Sequence, residues 1–411
     1  MRITHRTIGL LVGCATLLAA TLVSGQDWPQ WRGPNRDNKI VGFSVPKEWP
    51  KELTKKWKGP VGIGEASPVL VGDKVYTFGR IDGDEVTLCL DAATGKEIWR
   101  DKNPAAAFKK MAPDGGYPGP RSTPAVGEGK VCTLGVHGVV TCLDAGTGKV
   151  AWRKEVTPKL QFHTSTSPII VDGKCIVFVG GALTAFDLAS GDSKSLWPGA
   201  GDPYGSPVLT VVDGVKQVVT PASGVLVGIN LADGKKLWEV KLPAGYQSTY
   251  STPLAAGARV FYSVAGGKGG GGGMFALKIE KKGDGFTANE TWNIKLAAGG
   301  YHTPLLSNER IYGVSAGKQG SFFCLDAKTG EKIWTDDTSR GQCGSILDAG
   351  PVLLSLTSNK DLLVFKSDEK KYVELAKYRV SDSETWCVPI VAGNRVYVKD
   401  KGGTLALLTI D

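Results

Sequence analysis

The stretch Cys89-Leu90-Asp91-Ala92-Ala93-Thr94-Gly95-Lys96-Glu97-Ile98-Trp99 returns as CLDAGTGKVAW at Cys142 to Trp152 and as CLDAKTGEKIW at Cys324 to Trp334. Each copy reads as a short apolar strand, a polar turn in which Gly takes a positive φ at little cost, and a second strand carrying Trp. Weaker copies, AFDLASGDSKSLW (Ala185 to Trp197) and GINLADGKKLW (Gly228 to Trp238), fill the gap between the second and third. Upstream of the copies lies a second recurring signal, a small hydroxyl residue before Pro: Ser67-Pro68, Thr123-Pro124, Ser167-Pro168, Ser206-Pro207, Thr252-Pro253 and Thr303-Pro304. It continues in degenerate form at Ser345-Ile346 and Val388-Pro389. Units repeating every roughly 40 to 55 residues signal a propeller or a solenoid.

Within a unit the order is constant: Pro and a first strand, a Gly-Asp or Asp-Gly turn, a second strand, a third strand, the Thr-Gly-Lys turn, and a Trp strand. Four antiparallel strands per repeat make a propeller blade, so the expected fold is all-β, an eight-bladed β-propeller. The Trp-strand positions are Trp57, Trp99, Trp152, Trp197, Trp238, Trp292, Trp334 and, by alignment, Tyr378. Trp57 precedes any complete blade, and the last unit stops after its third strand. Lys55 to Gly59 is therefore expected to supply the fourth strand of the blade begun by residues 387 to 410, closing the ring and removing exposed strand edges.

Residues 1–25 have the layout of a secretory signal peptide: basic Arg2 and Arg6, an apolar run from Ile8 to Val23, and a small-residue exit at Ser24-Gly25. The mature protein is expected to be exported, to the periplasm or the extracellular space, and to be a monomer. Leu11-Val12-Gly13-Cys14 resembles a lipobox, but the apolar run continues past Cys14; peripheral association with the outer membrane stays open. Loss of Arg2 and Arg6 takes the formal charge from +9 to +7. Most lysines fall in the turns and ring one face of the wheel, without the aromatic–basic interleaving of a nucleic-acid platform. Seven of the eight cysteines follow the signal, and an odd number leaves at least one free thiol. Cys89, Cys142 and Cys324 share one third-strand position in different blades and read as small core residues, whereas Cys132 and Cys142 can face each other within one blade. Neither CxxC nor spaced Cys/His ligands occur, so a structural zinc site is not expected. No GxSxG elbow accompanies the Ser, His and Asp residues, which argues against a hydrolase.

Residues 26–53 form a Trp- and Pro-rich extension, opening Asp27-Trp28-Pro29-Gln30-Trp31-Arg32-Gly33-Pro34. It can make a rigid amphipathic plug with a polar edge, and is expected to pack as a strap over the side or base of the propeller. The run GGKGGGGG from Gly266 to Gly273 joins two strands of the fifth blade, and Lys281 to Asn289 is expected to lengthen the next turn.

The repeated LDAxTGKxxW hairpin resembles the pyrroloquinoline-quinone (PQQ) type propeller repeat, over most of residues 54–411. Resemblance implies that each outer-strand Trp docks against the next blade. Two branches of that family matter, the quinoprotein alcohol dehydrogenases and the BamB-type scaffold of outer-membrane barrel assembly; size and blade count resemble the second more. The dehydrogenases place PQQ between stacking surfaces with a bound divalent cation, an adjacent Cys-Cys pair and a carboxylate base. No Cys-Cys pair exists here. Trp386 is the available platform, and Glu65, Asp202 and Glu384 are the available carboxylates.

Function on such a ring lives on the loops that lead from each outer strand into the next innermost one. The residues just before each Pro position are Glu65, Arg121, Ser165, Tyr204, Tyr250, Tyr301, Cys343 and Trp386, with His163, Asp202, His302, Arg340, Gln342 and Glu384 nearby. This polar, aromatic and mixed-charge set has the chemistry of a binding funnel. His163 and His302 fall in equivalent positions and either line the mouth with Arg121 and Glu65 or hydrogen-bond neighbouring loop backbone. The reading is an exported, non-enzymatic binding or scaffold propeller for an envelope protein partner, with no cofactor. The alternatives are a PQQ- and Ca2+-dependent dehydrogenase and a carbohydrate-binding propeller that stacks sugar on Trp386, Tyr250 and Tyr301.

Overall fold

The computed structural model describes residues 26–105, 119–160, 163–243, 246–248, 250–266, 272–296, 302–315, 319–367 and 370–411. The expected signal segment, Cys14, Tyr301 and the middle of the glycine run lie outside these. Among the described residues every regular element is a β-strand. The strands fall into eight antiparallel sheets, seven of four strands and one of five. Blade 1 consists of Val69–Val71, Lys74–Ile81, Asp84–Asp91 and Glu97–Pro104. Blades 2 to 7 begin at Ala125, Ile169, Val208, Leu254, Leu305 and Gly344.

Blade 8 closes the ring as the sequence requires. Its first three strands are Ile390–Ala392, Arg395–Lys399 and Thr404–Thr409, and its fourth is Thr54–Pro60 from the other end of the chain, with Trp57 opposite Leu407. The Lys281 to Asn289 insertion differs from expectation. It does not lengthen a turn but extends both strands of the hairpin, Gly273–Lys282 and Gly285–Lys295, because cross-strand pairing continues from Leu277 and Glu290 out to Lys282 and Gly285.

Two periodic interactions explain why the repeat keeps the residues it keeps. The first is the Trp lock. Trp57 Nε1 donates to the Ala92 carbonyl of blade 1 (3.1 Å), Trp99 to Ala145 of blade 2 (3.1 Å), Trp152 to Leu188 of blade 3 (3.1 Å) and Trp292 to Ala327 of blade 6 (3.0 Å). The indole face lies on the glycine of the next blade's turn. Gly95 sits at φ 71°, and a Cβ there would fall 2.6 Å from the Trp57 ring, so the position demands glycine on both counts. Two blades break the pattern: in blade 4 Trp238 Nε1 donates to Gln217 Oε1 of its own blade (2.8 Å), and in blade 3 the register shift that every fourth strand carries falls two residues farther from the turn, so that Leu196, not Trp197, lies against Gly234 of the next turn. Trp197 instead meets Phe178 edge-on.

The second is a belt at the start of the innermost strands. The amide of Val388 donates to Ser67 Oγ (2.8 Å), Ser67 to Thr123 (3.0 Å), Thr123 to Ser167 (3.0 Å), Ser167 to Ser206 (3.0 Å), Ser206 to Thr252 (2.9 Å) and Thr252 to Thr303 (3.0 Å). Each hydroxyl accepts the amide of the blade before it, and the following Pro holds the residue extended. The Ser/Thr-Pro signal is therefore a belt of blade-to-blade hydrogen bonds from blade 8 round to blade 6, not a loop decoration.

The extension departs most from its expected place. Residues 27–40 are a plug inside the central channel, and only the second half runs as the expected strap, with Pro50 accepting the Tyr378 hydroxyl of the outer strand of blade 7 (2.9 Å) and Leu53 in the cleft at the outer rim. Asp27 accepts the amide of Gly72 in the turn after the first strand of blade 1, and Trp28 exchanges both backbone hydrogen bonds with Leu70 (2.7 and 2.9 Å). Further in, the Val126 amide donates to Pro29 (2.7 Å). The chain then doubles back, with Arg32, Gly33, Arg36 and Asn38 all at positive φ. Asn38 Nδ2 donates to Ile346 (2.8 Å), Ile40 N to Asp348 (2.8 Å), and Val41 N to Gln26 Oε1 (2.6 Å), so the plug leaves where it entered.

Innermost strands are sheet edges, and their unpaired carbonyls need donors. Arg36 supplies them to Ser167, Pro168 and Pro207, and Arg32 to Thr303 (3.0 Å) and Pro304 (2.8 Å). Both guanidinium groups are buried, which draws Arg32 down to about 10 and Arg36 to about 9.

Candidate functional site

The strand alternation puts both kinds of Gly/Lys turn on one face of the wheel and the loops preceding each Pro on the other. On that second face the channel opens as a cup of about 250 Å3, lined by Trp31, Glu65, Arg121, Ser165, Tyr204, Ser206, Tyr250, Thr252, Thr303, Cys343 and Trp386. Trp31, at the tip of the plug, is the lining residue that comes from the extension rather than a blade. The cup is a dead end, not a pore.

Around the rim each blade contributes by position. Blades 1 and 2 supply Glu65 and Arg121, whose Oε2 and Nε are 2.6 Å apart with about a fifth of each side chain exposed. Blades 4 and 5 supply Tyr204 and Tyr250, with ring centroids 5.4 Å apart. Blade 8, across the ring from blade 4, supplies Trp386. Its Nε1 donates to Glu384 (3.1 Å), and the Lys401 ammonium lies 5.3 Å from its ring centroid and 3.6 Å from Glu384. The indole is thus braced from outside before anything enters the cup. Ser165 Oγ donates to the Tyr204 carbonyl (3.0 Å) and fixes the loop between blades 3 and 4. Burial pushes the Cys343 thiol up to about 12, so it lines the wall as a neutral group.

Several residues named from sequence stand elsewhere. His163 and His302 are buried beside the cup and do not line it. His163 Nδ1 is 3.0 Å from the Thr164 carbonyl, and His302 bonds the backbone of Val314. Burial draws both down to about 4, with the Arg121 charge adding to the effect on His163. They are neutral struts of the loops, which corrects their placement at the mouth. Gln342 is exposed next to Cys343, outside the lining, and Glu384 acts on the cup only by holding Trp386. Asp202 accepts the amides of Lys159 and Gly181, and Arg340 is buried against Asp336 (2.7 Å) between Phe322 and Tyr372.

Sequence reasoning missed Trp31 and the belt hydroxyls of Ser206, Thr252 and Thr303. For the hydroxyls the signal was the Ser/Thr-Pro repeat itself. For Trp31 no periodic signal existed, because the extension lies outside the repeat. A larger cleft of about 410 Å3 lies at the outer rim between the fourth strands of blades 7 and 8. It marks the seam where blade 8 has no Thr-Gly-Lys turn, and its Lys58 is bound to Asp382 (2.6 Å).

The cup also bears on a bound metal or quinone. Glu65 is the one carboxylate among its lining residues and is already engaged by Arg121. Among the described residues no group of three or more His, Cys, Asp or Glu is arranged to hold a metal ion. The donor set a PQQ–Ca2+ site calls for does not fit this lining.

The family described as outer membrane protein assembly factor BamB matches residues 47–197, 192–283 and 281–377. The chain belongs to that family. It is 26% identical over 350 residues to the outer membrane protein assembly factor BamB of Shewanella oneidensis, covering 71% of this chain and 85% of that one. It is 26% identical over 211 residues to the 1-butanol dehydrogenase (cytochrome c) of Thauera butanivorans, covering 47% of this chain but 29% of that enzyme. Among solved structures, BamB from Moraxella catarrhalis superposes with a TM-score of 0.65 at 14% identity, over 87% of this chain and 97% of its own, which speaks to the fold.

Proposed function

We propose that this propeller is a non-enzymatic scaffold of the exported envelope, which holds a protein partner of the outer-membrane assembly machinery through its cup face and acts as a monomer. The observation that carries this reading is the cup: closed below by Trp31, walled by Trp386 and the Tyr204–Tyr250 pair, and edged by the Arg121–Glu65 ion pair. Aromatic and Arg side chains around a closed pocket are what a partner's anchoring side chain needs. The belt and the plug hold these groups on a rigid frame, so little order has to be imposed on binding.

The reach of the BamB match, over 85% of the Shewanella protein, supports a scaffold over an oxidoreductase, since the Thauera enzyme is met over less than a third of its length. The engaged state of Glu65 points the same way. In affinity capture from solubilised envelopes, the wild-type chain is expected to retain outer-membrane assembly proteins, and Trp386→Ala with Tyr250→Ala to retain at least about tenfold less. Capture that is unchanged in the double variant would remove the cup from the account; capture of no envelope protein would remove the scaffold.

A further inference from the structure

Blade 2 carries a thiol cluster that neither the cup nor the repeat requires. In blades 1 and 6 the repeat cysteine faces a tyrosine across the strand pair, Cys89 opposite Tyr76 and Cys324 opposite Tyr312. In blade 2 the tyrosine is replaced, and Cys142 faces Cys132. The backbone bonds flanking this pair, Gly135 N to Val139 O and Ala145 N to Gly129 O (both 2.9 Å), make the odd-numbered residues the hydrogen-bonded positions. Cys132 and Cys142 are therefore a non-hydrogen-bonded pair, whose Cα atoms stand about 4.5 Å apart with side chains on the same face. That separation lies within the range a disulfide spans, roughly 4.4 to 6.8 Å. Cys132 also hydrogen-bonds Cys175 of blade 3, and all three side chains are fully buried.

We infer that Cys132 and Cys142 form a cross-strand disulfide when the chain folds in an oxidising compartment, leaving Cys175 as a thiol; the compartment part rests on the exported reading above. The two thiols give up their protons and two electrons to an oxidant of the disulfide class, either a protein disulfide carrier or glutathione disulfide. One Sγ–Sγ bond forms, the oxidant's S–S bond breaks, and the oxidant leaves as two thiols. The step belongs to folding, before blade 3 covers the pair. Cys142 is favoured over Cys175 as partner because it lies within the same hairpin, so the loop to be closed is short.

The test uses the full chain, unfolded and refolded in a glutathione redox buffer, then alkylated under denaturing conditions without reductant and mapped by mass spectrometry. The expected result is a linked Cys132–Cys142 peptide with the other five of the seven cysteines from Cys89 onward alkylated. Reductant is expected to lower the urea midpoint of the wild type and to leave that of Cys132→Val/Cys142→Ala unchanged. Alkylation of all seven, or linkage of Cys132 to Cys175, overturns the inference. If the pair links in glutathione but is reduced in protein taken from its native cell, the exported reading falls and the pair stands.

Discussion

Two groups of arginines on the axis of this ring behave differently. Arg32 and Arg36 are buried in the plug and donate to backbone carbonyls of the innermost strands, with no carboxylate as principal partner. Arg121, which lines the cup, keeps 23% of its side chain exposed and meets Glu65. The first pair completes the sheet edges that a propeller leaves facing its channel; the second shapes a surface a partner can reach. A guanidinium satisfied by backbone carbonyls and, for Arg36, by the neutral Gln30 amide is architecture, and one that shares its charge at a half-open cup is available for recognition.

The comparison breaks most visibly through the plug. Arg36→Ala leaves several buried carbonyls without donors and is expected to cost about 3 kcal/mol or more in urea unfolding. Arg36→Lys should recover little of it, since an ammonium cannot reproduce the fork that reaches blades 3 and 4. Arg121→Ala should cost about 1 kcal/mol. Equal losses for the two would erase the distinction.

The second test is pH. His163 and His302 titrate near 4 in the folded chain against 6.5 in the unfolded one, so the unfolded state binds more protons between those values. Stability is fully present above about pH 6.5 and falls as pH drops toward 4, with unfolding taking up as many as two protons. Replacing both with Asn should flatten this part of the profile; an unchanged slope would show that other groups carry it.

The effects then move from stability to binding. Trp386→Ala should leave the urea midpoint nearly unchanged and weaken a captured partner by about 2 kcal/mol, roughly thirtyfold in Kd. Smallest of all, titration with PQQ and Ca2+ should give no heat above dilution; micromolar binding with alcohol-dependent dye reduction would return the chain to the oxidoreductases.

The repeat made the fold legible because a hairpin copied with Trp, Gly and Asp at fixed spacing has one use, docking on the next copy, and Trp57, Trp99 and Trp152 are found doing that. The rim of the cup was legible for the same reason: alignment on Pro put Glu65, Arg121, Tyr204, Tyr250 and Trp386 at one level of the ring. What stayed hidden depended on non-repeating contacts. Trp31 reaches the cup through a plug held by contacts remote in sequence, as Arg36 is at Pro207 and Arg32 at Pro304. The same positional alignment misplaced His163 and His302, because a residue's level on the ring does not say whether its side chain turns toward the axis or back into the loop. In blade 3 moving the common register shift two residues along the strand was enough to exchange Leu196 for Trp197.

The most direct test of the account is site-specific photocrosslinking in cells, with a benzophenone amino acid placed at exposed Gln342 beside the cup or at exposed Lys149 on the opposite turn face. A discrete adduct with an envelope protein is expected from position 342, lost when Trp386→Ala is added, and none from position 149. An adduct from position 149 with none from 342 would contradict it, because the partner would then be held by the face that the plug enters.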